Sequence, residues 1–206
     1  MSRRTYVQKA SMRLELALIS VLLVLPTVAG SQQPMFPPTI SPFADQTTWL
    51  LTRPFRYQIL DTNLVIDVPV GFVTDFASIP RPLWALASPH GFYSRASIIH
   101  DFLYWDQRCT REQADRIMLI AMQESAVGFA ERQAIYAGVR AGGQSSWDGN
   151  ASARAQGMLR TVPTQFIDQV QPLDTWPDFR ARLMKQGVRE APRPIGPPPT
   201  YCAAGN

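Results

Sequence analysis

Two histidines occur in this chain of 206 residues, and one of them sits in a helix-compatible run with acidic company. In His100-Asp101-Phe102-Leu103-Tyr104, His100 and Tyr104 are four residues apart and share one face of a helix. Asp101 is rotated about 100° from His100, so it reaches a different neighbour and leaves the imidazole open. A second run, Thr110-Arg111-Glu112-Gln113-Ala114-Asp115, reads as the start of the next helix. An antiparallel pair turning near Arg108-Cys109 would set His100 opposite Ile117, with Asp115 within about half a turn. A carboxylate placed there can bond one imidazole nitrogen and fix the tautomer. The other nitrogen is then a general base able to activate water.

A third run, Val68-Pro69-Val70-Gly71-Phe72-Val73-Thr74-Asp75-Phe76-Ala77-Ser78-Ile79-Pro80, brings Asp75 and Ser78 into a loop just past a strand. Asp75 is a second carboxylate that could orient His100. Ser78 is a candidate nucleophile, although no Gly-x-Ser-x-Gly elbow surrounds it. Asp75, His100, Asp101 and Asp115 could instead cluster around a divalent cation such as calcium, with Asp101 and Asp75 as ligands. One nearby histidine and no nearby cysteine pair argue against structural zinc. Each residue also has a plainer role. His100 and Asp101 could be a buried polar pair fixing helix packing, and Tyr104 could only pack. Asp75 could shape its loop, and Asp115 could favour the positive end of its helix.

The elements that must hold these residues follow from periodicity. Phe55, Tyr57 and Ile59 alternate with Arg56, Gln58 and Leu60, and Leu64, Ile66 and Val68 alternate with Val65, Asp67 and Pro69. That period of two, around Asp61-Thr62-Asn63, predicts a β-hairpin near 55–68. Gly71-Phe72-Val73 is expected to add a short strand. Ser94 is expected to cap a first helix holding Ile98, Ile99, Leu103 and Trp105. Thr110 and Gln113 make a capping box for the second helix, which Gly128 is expected to end. A third helix is expected from about Ala130 to Arg140, stopped by Gly142-Gly143. Residues 150–162 are weakly patterned, and 164–187 have room for a last short helix. The fold class is therefore α+β: a small antiparallel sheet, then an antiparallel helical hairpin and a third helix.

Residues 1–13 are basic and Leu16–Leu25 are almost wholly apolar. Pro26 and small residues through Ser31 follow, the order of a secretory signal with cleavage near Gly30. The stretch Leu16–Gly30 is 15 residues, short of the ~20 needed to span a bilayer. A periplasmic or extracellular protein is expected. The segments would be a signal peptide over 1–30, a Pro-rich arm over 31–44 and an α+β domain over 45–147. A weakly patterned extension over 148–190 and a Pro-rich tail over 191–206 complete the chain. Most of the formal net charge of +4 lies before residue 31. The remainder is nearly balanced, so no nucleic acid partner is expected. Partners consistent with export are an envelope lipid, peptidoglycan or another protein. In an oxidising compartment Cys109 and Cys202 could pair, tying the tail to the helical hairpin.

The motifs Val68-Pro69-x-Gly71-Phe72-x-Thr74-Asp75-Phe76-Ala77-Ser78-Ile79-Pro80, His100-Asp101-x-Leu103-Tyr104, Arg111 and Ala114-Asp115 together resemble a known family. It is the bacterial and bacteriophage family catalogued as domain of unknown function 1353, over about residues 45–147. That resemblance implies a phage-related setting and no particular activity. The leader and Pro-rich tail depart from the short, leaderless form of that family. Locally, His100-Asp101-Phe102-Leu103-Tyr104 is similar to the His-Asp helix of secreted phospholipases A2. That similarity implies His100 as base, Asp101 as calcium ligand and Asp115 as orienter. The chain lacks that family's Gly/Cys-rich calcium loop. Two functions emerge: an exported hydrolase acting on an envelope component, or a non-catalytic phage-derived assembly or envelope-interaction module.

Overall fold

The computed structural model describes residues 37–76 and 93–206. The expected leader and Ser78 lie outside the described residues. Strands β1 (Ile40–Pro42), β2 (Trp49–Leu51), β3 (Phe55–Gln58), β4 (Val65–Val68) and β5 (Val73–Thr74) precede helices α1 (Ser94–Asp106), α2 (Arg111–Glu124), α3 (Phe129–Ala155) and α4 (Trp176–Lys185). Short 3-10 turns span Thr164–Gln169 and Thr200–Gly205. The class is α+β.

The hairpin forms where alternation placed it. Phe55 pairs with Val68 and Tyr57 with Ile66, and all four are buried. Arg56 and Asp67 face solvent as a cross-strand pair. Period-two burial on one face explains why this register holds. The second sheet has the order β1-β2-β5, all antiparallel. Its strands are two or three residues long, too short to show alternation. The short strand expected over Gly71-Phe72-Val73 thus starts two residues later, at Val73–Thr74, and pairs with β2.

Gly71 joins this sheet to the chain after α3. Its N–H donates to the Leu51 carbonyl and its carbonyl accepts from the Val162 N–H, each at 2.8 Å. A Cβ at Gly71 would meet the Val162 carbonyl oxygen at 2.0 Å, and its φ is +84°, so only glycine fits. Phe72 then bridges to Thr161, which sets Arg160 beside the end of β5.

α1 is buried along nearly its whole length, which is why it lacks a clean polar face. Its entry differs from the expected Ser94 cap. Ser94 is already helical, and Tyr93 precedes it without a side-chain cap bond. Burial of Tyr93 in the core sets the start instead. The Thr110 capping box is present in full. α2 closes at Glu124 and the chain turns through Ala126 at φ 58°. Gly128 therefore opens α3 as its N-cap and does not end α2.

The largest departure is α3. It runs 27 residues, straight through Gly142-Gly143. Two helical glycines cost about 2 kcal/mol together relative to alanine, and tertiary contacts described below outweigh this. The main core packs β3, β4, α1, α2 and the start of α3. A second core joins Phe43, Leu50 and Val73 to Leu159, Val162, Trp176, Phe179 and Leu183. Cys109 and Cys202 form a disulfide across 93 residues and hold the C-terminal 3-10 turn against α2. Among the described residues no helix is long and apolar enough to cross a membrane.

Candidate functional site

The capping box and the tight turn at Gln107 aim α2 back along α1. Gln107 is left-handed at φ 50°, and its N–H bonds the Leu103 carbonyl. The result sets Asp115 directly beside His100. His100 Nε2 lies 2.9 Å from Asp115 Oδ1. The Tyr104 hydroxyl donates to the same oxygen at 2.6 Å. Asp115 Oδ2 accepts from Arg111 at 3.2 Å and from Arg140 at 2.8 Å. Asp115 is fully buried and His100 is 3% exposed.

This carboxylate is surrounded by donors. Burial by itself would raise the Asp115 pKa. The hydrogen bonds from His100, Tyr104 and Arg140 outweigh burial and hold it below its ordinary value. Tyr104 moves the other way: burial, then the bond to the Asp115 carboxylate, push its hydroxyl up. It therefore stays protonated and donates. An ionised Asp115 accepts from Nε2–H, so neutral His100 carries its proton on Nε2. Nδ1 is the remaining basic nitrogen; it is itself buried and has no hydrogen-bond partner among the described residues.

α3 is what closes this arrangement. A Cβ at Gly143 would sit 2.4 Å from the Tyr104 hydroxyl and 3.4 Å from an Arg111 nitrogen. The glycine lets α3 lie against both groups. Arg140, three residues earlier, reaches Asp115 from the same helix. Trp147 meets the Tyr104 ring edge-on at 5.1 Å.

Asp101 faces elsewhere, towards the end of β5. Its Oδ2 accepts from the Thr74 hydroxyl at 2.5 Å and from the Asp75 backbone N–H at 3.1 Å. Thr74 Oγ1 in turn accepts from Phe76 N–H, with Phe76 left-handed at φ 56°. Holding a bulky residue there costs about 1–2 kcal/mol, so the Asp101–Thr74 contacts have a strained turn to secure. Arg160 donates from Nε to the Val73 carbonyl at 2.6 Å and pairs with Asp75 at 3.4 Å.

The two groups meet at one cavity of about 290 Å³. His100, Asp101 and Tyr104 come from α1, Asp75 and Arg160 from beside β5, and Gly142, Ser146 and Asn150 from α3. Asp115 lies behind His100 and does not line it. The structure thus brings His100, Tyr104 and Asp115 into one hydrogen-bonded group. It brings Asp75 and Asp101 into a second, at the end of β5. Ser78 lies outside the described residues. Among those residues no set of three or more His, Cys, Asp or Glu side chains is arranged to hold a metal ion. Asp115 has its oxygens occupied by four side-chain donors, and Asp101 Oδ2 is spent on the β5 turn.

Sequence reasoning missed Arg140, Arg160, Ser146 and Asn150. One signal was there to be read. Gly138, Gly142, Ser146 and Asn150 recur every four residues, a single stripe along a helix that reading a stop at Gly142-Gly143 concealed. Arg160 carried no signal, because its place depends on the Gly71–Val162 contact.

No curated protein and no solved structure matches the chain. Residues 49–139, from the start of β2 into α3, match the family described as protein of unknown function (DUF1353). They contain His100, Asp101, Tyr104, Asp115 and Asp75, whereas Gly142, Gly143 and Arg160 fall beyond them. This part of the chain, which holds the His100–Asp115 pair, is similar to the DUF1353 family.

Proposed function

We propose that the cavity is the active site of an exported hydrolase acting on an envelope component. The observation that carries this reading is the His100–Asp115 pair. One imidazole nitrogen is anchored on a buried carboxylate, the other is without a partner among the described residues, and the ring lines a polar cavity. In this scheme His100 Nδ1 takes a proton from water, and the water oxygen bonds the scissile acyl carbon. The leaving group departs with the proton returned from Nδ1–H. Asp115 orients the ring and balances the transient imidazolium. Arg160, which lines the same cavity, provides a fixed cation for charge developing on the acyl oxygen. Tyr104 and Arg140 act through Asp115. Asp75 holds Arg160, and Asp101 holds the turn that carries Asp75. Export is supported by the signal-like leader and by the Cys109–Cys202 bond.

The test is product release. The chain would be incubated with purified peptidoglycan and, separately, with phospholipid vesicles, and soluble fragments and free fatty acids measured. Loss of a general base lowers the rate by about 10²–10⁴-fold. We expect that loss in His100→Ala with a melting profile that remains cooperative. Equal product from wild type and His100→Ala removes His100 from the chemistry.

A second reading rests on a different observation: Asp115 is fully buried and accepts from four side chains. In this reading the same residues are a structural polar network in a phage-derived interaction module. It is favoured if wild type releases nothing from either substrate while His100→Ala unfolds far more easily.

A further inference from the structure

The glycines of α3 raise a question that packing answers for Gly143 but not for Gly142 or Gly149. Glycine is less favourable than alanine inside a helix. Gly143 is explained by Tyr104 and Arg111. Gly142 and Gly149 are exposed, and a Cβ at either would meet no described atom within 4 Å. Both line the cavity that His100 also lines. Their missing side chains leave a bare strip of helix beside a buried imidazole whose Nδ1 is unpartnered among the described residues. Seven residues of helix rise about 10 Å, the length of about three residues of extended peptide.

The lining chemistry narrows the occupant. Val139 is the one aliphatic side chain among the described lining residues, which is a poor surface for an acyl chain. Tyr104 is the one aromatic, and its ring is packed against His100 and Trp147, so no free platform remains for stacking a sugar. Asn150, with an amide that both donates and accepts, and Ser146 with its hydroxyl, match the alternating N–H and C=O of a peptide backbone.

We infer that the bare strip of α3 from Gly142 to Gly149 is a binding wall for a short extended peptide, which lies along the helix and presents an amide to His100. This names the substrate class of the hydrolytic site proposed above and rests on that reading for the fate of the amide, though not for binding.

The experiment is NMR titration of the full chain with acetyl-Ala-Ala-Ala-amide at millimolar concentration. Parallel arms use tri-N-acetylglucosamine and dihexanoylphosphatidylcholine. The peptide is expected to shift the Gly142 and Gly149 amide signals and the His100 ring signals together. Gly142→Leu, whose side chain would project into open space, is expected to weaken binding at least tenfold without lowering the melting temperature. Should that variant melt early, Gly149→Leu takes its place. No shift with the peptide, a response to the glycan or lipid alone, or full affinity in both leucine variants overturns the inference. His100→Ala is expected to keep peptide binding. Peptide binding by a wild type that releases no product from the peptide, peptidoglycan or vesicles would sink the hydrolytic reading and leave this one standing.

Discussion

Asp115→Asn separates the charge of the central carboxylate from its shape. Asparagine keeps the volume but offers one oxygen and one NH2 group. With the NH2 towards α3, Arg111 and Arg140, which can only donate, lose their shared acceptor; with it towards α1, His100 must shift its proton to Nδ1 and Tyr104 must turn its hydroxyl to accept, and in either case the two arginines lose the charge they pair with. Removing one partner of a buried charge pair costs about 3–5 kcal/mol. Asp115 is fully buried and the Arg111 side chain 12% exposed, but Arg140 is 32% exposed and can recover some hydration. The lower end, about 3 kcal/mol, is therefore expected. For a domain of this size that corresponds to about 6–12 °C in melting temperature.

The pH dependence gives the prediction a second, sharper form. The Asp115 carboxyl titrates below its ordinary 3.8 in the folded protein, because donors outweigh burial. A depressed folded pKa contributes stability at every pH above the unfolded value. It is surrendered as pH falls through 3.8 towards the folded pKa. The gap between wild type and Asp115→Asn should thus be full at pH 6 to 7 (about neutral) and close progressively in acid. Calorimetric or circular-dichroism melts across that range measure it. A neutral-pH loss below about 1 kcal/mol, or a gap that does not change with acid, would refute the idea that a buried, ionised Asp115 organises this site.

Three further outcomes follow from other contacts. Reducing the Cys109–Cys202 bond, or replacing both with serine, frees a loop of 93 residues; the chain-entropy model puts the loss at about 4–5 kcal/mol, read as a lower melting temperature with reductant. Gly143→Ala drives a Cβ to 2.4 Å from the Tyr104 hydroxyl and should cost about 1–3 kcal/mol, whereas Gly142→Ala and Gly149→Ala should gain up to about 1 kcal/mol each, all measured by denaturant melts. Glu124 accepts from Tyr57 at 2.8 Å and from Leu60 N–H at 3.0 Å, and burial raises its pKa above the ordinary 4.5. A raised carboxyl makes wild type lose stability as pH climbs from 4.5 through the folded value, and Glu124→Gln should lack that limb in pH-dependent melts.

The hairpin, the capping box and the pairing of α1 with α2 were legible because each depends on local pattern. Alternation at Phe55, Tyr57, Ile66 and Val68 permits one register, and Thr110 with Gln113 satisfies the orphan N–H groups of one helix start. Periodicity also led from His100 to Asp115, since an antiparallel hairpin relates residues by their distance from its turn. The short strands β1 and β2, two to three residues in register, were too brief for any such pattern.

What local pattern could not carry is the third wall. Glycine's propensity argued that α3 should end at Gly142, yet only a glycine at 143 lets a helix pass against Tyr104, and Arg140 gains Asp115 by that passage. Arg160 is delivered by a carbonyl packed on Gly71, far away in the chain. By itself the sequence determined which residues could act as base and orienter, and that they would face one another. Tertiary packing decided that the imidazole borders a cavity, because a cavity is the space left between elements and no stretch of chain encodes it alone.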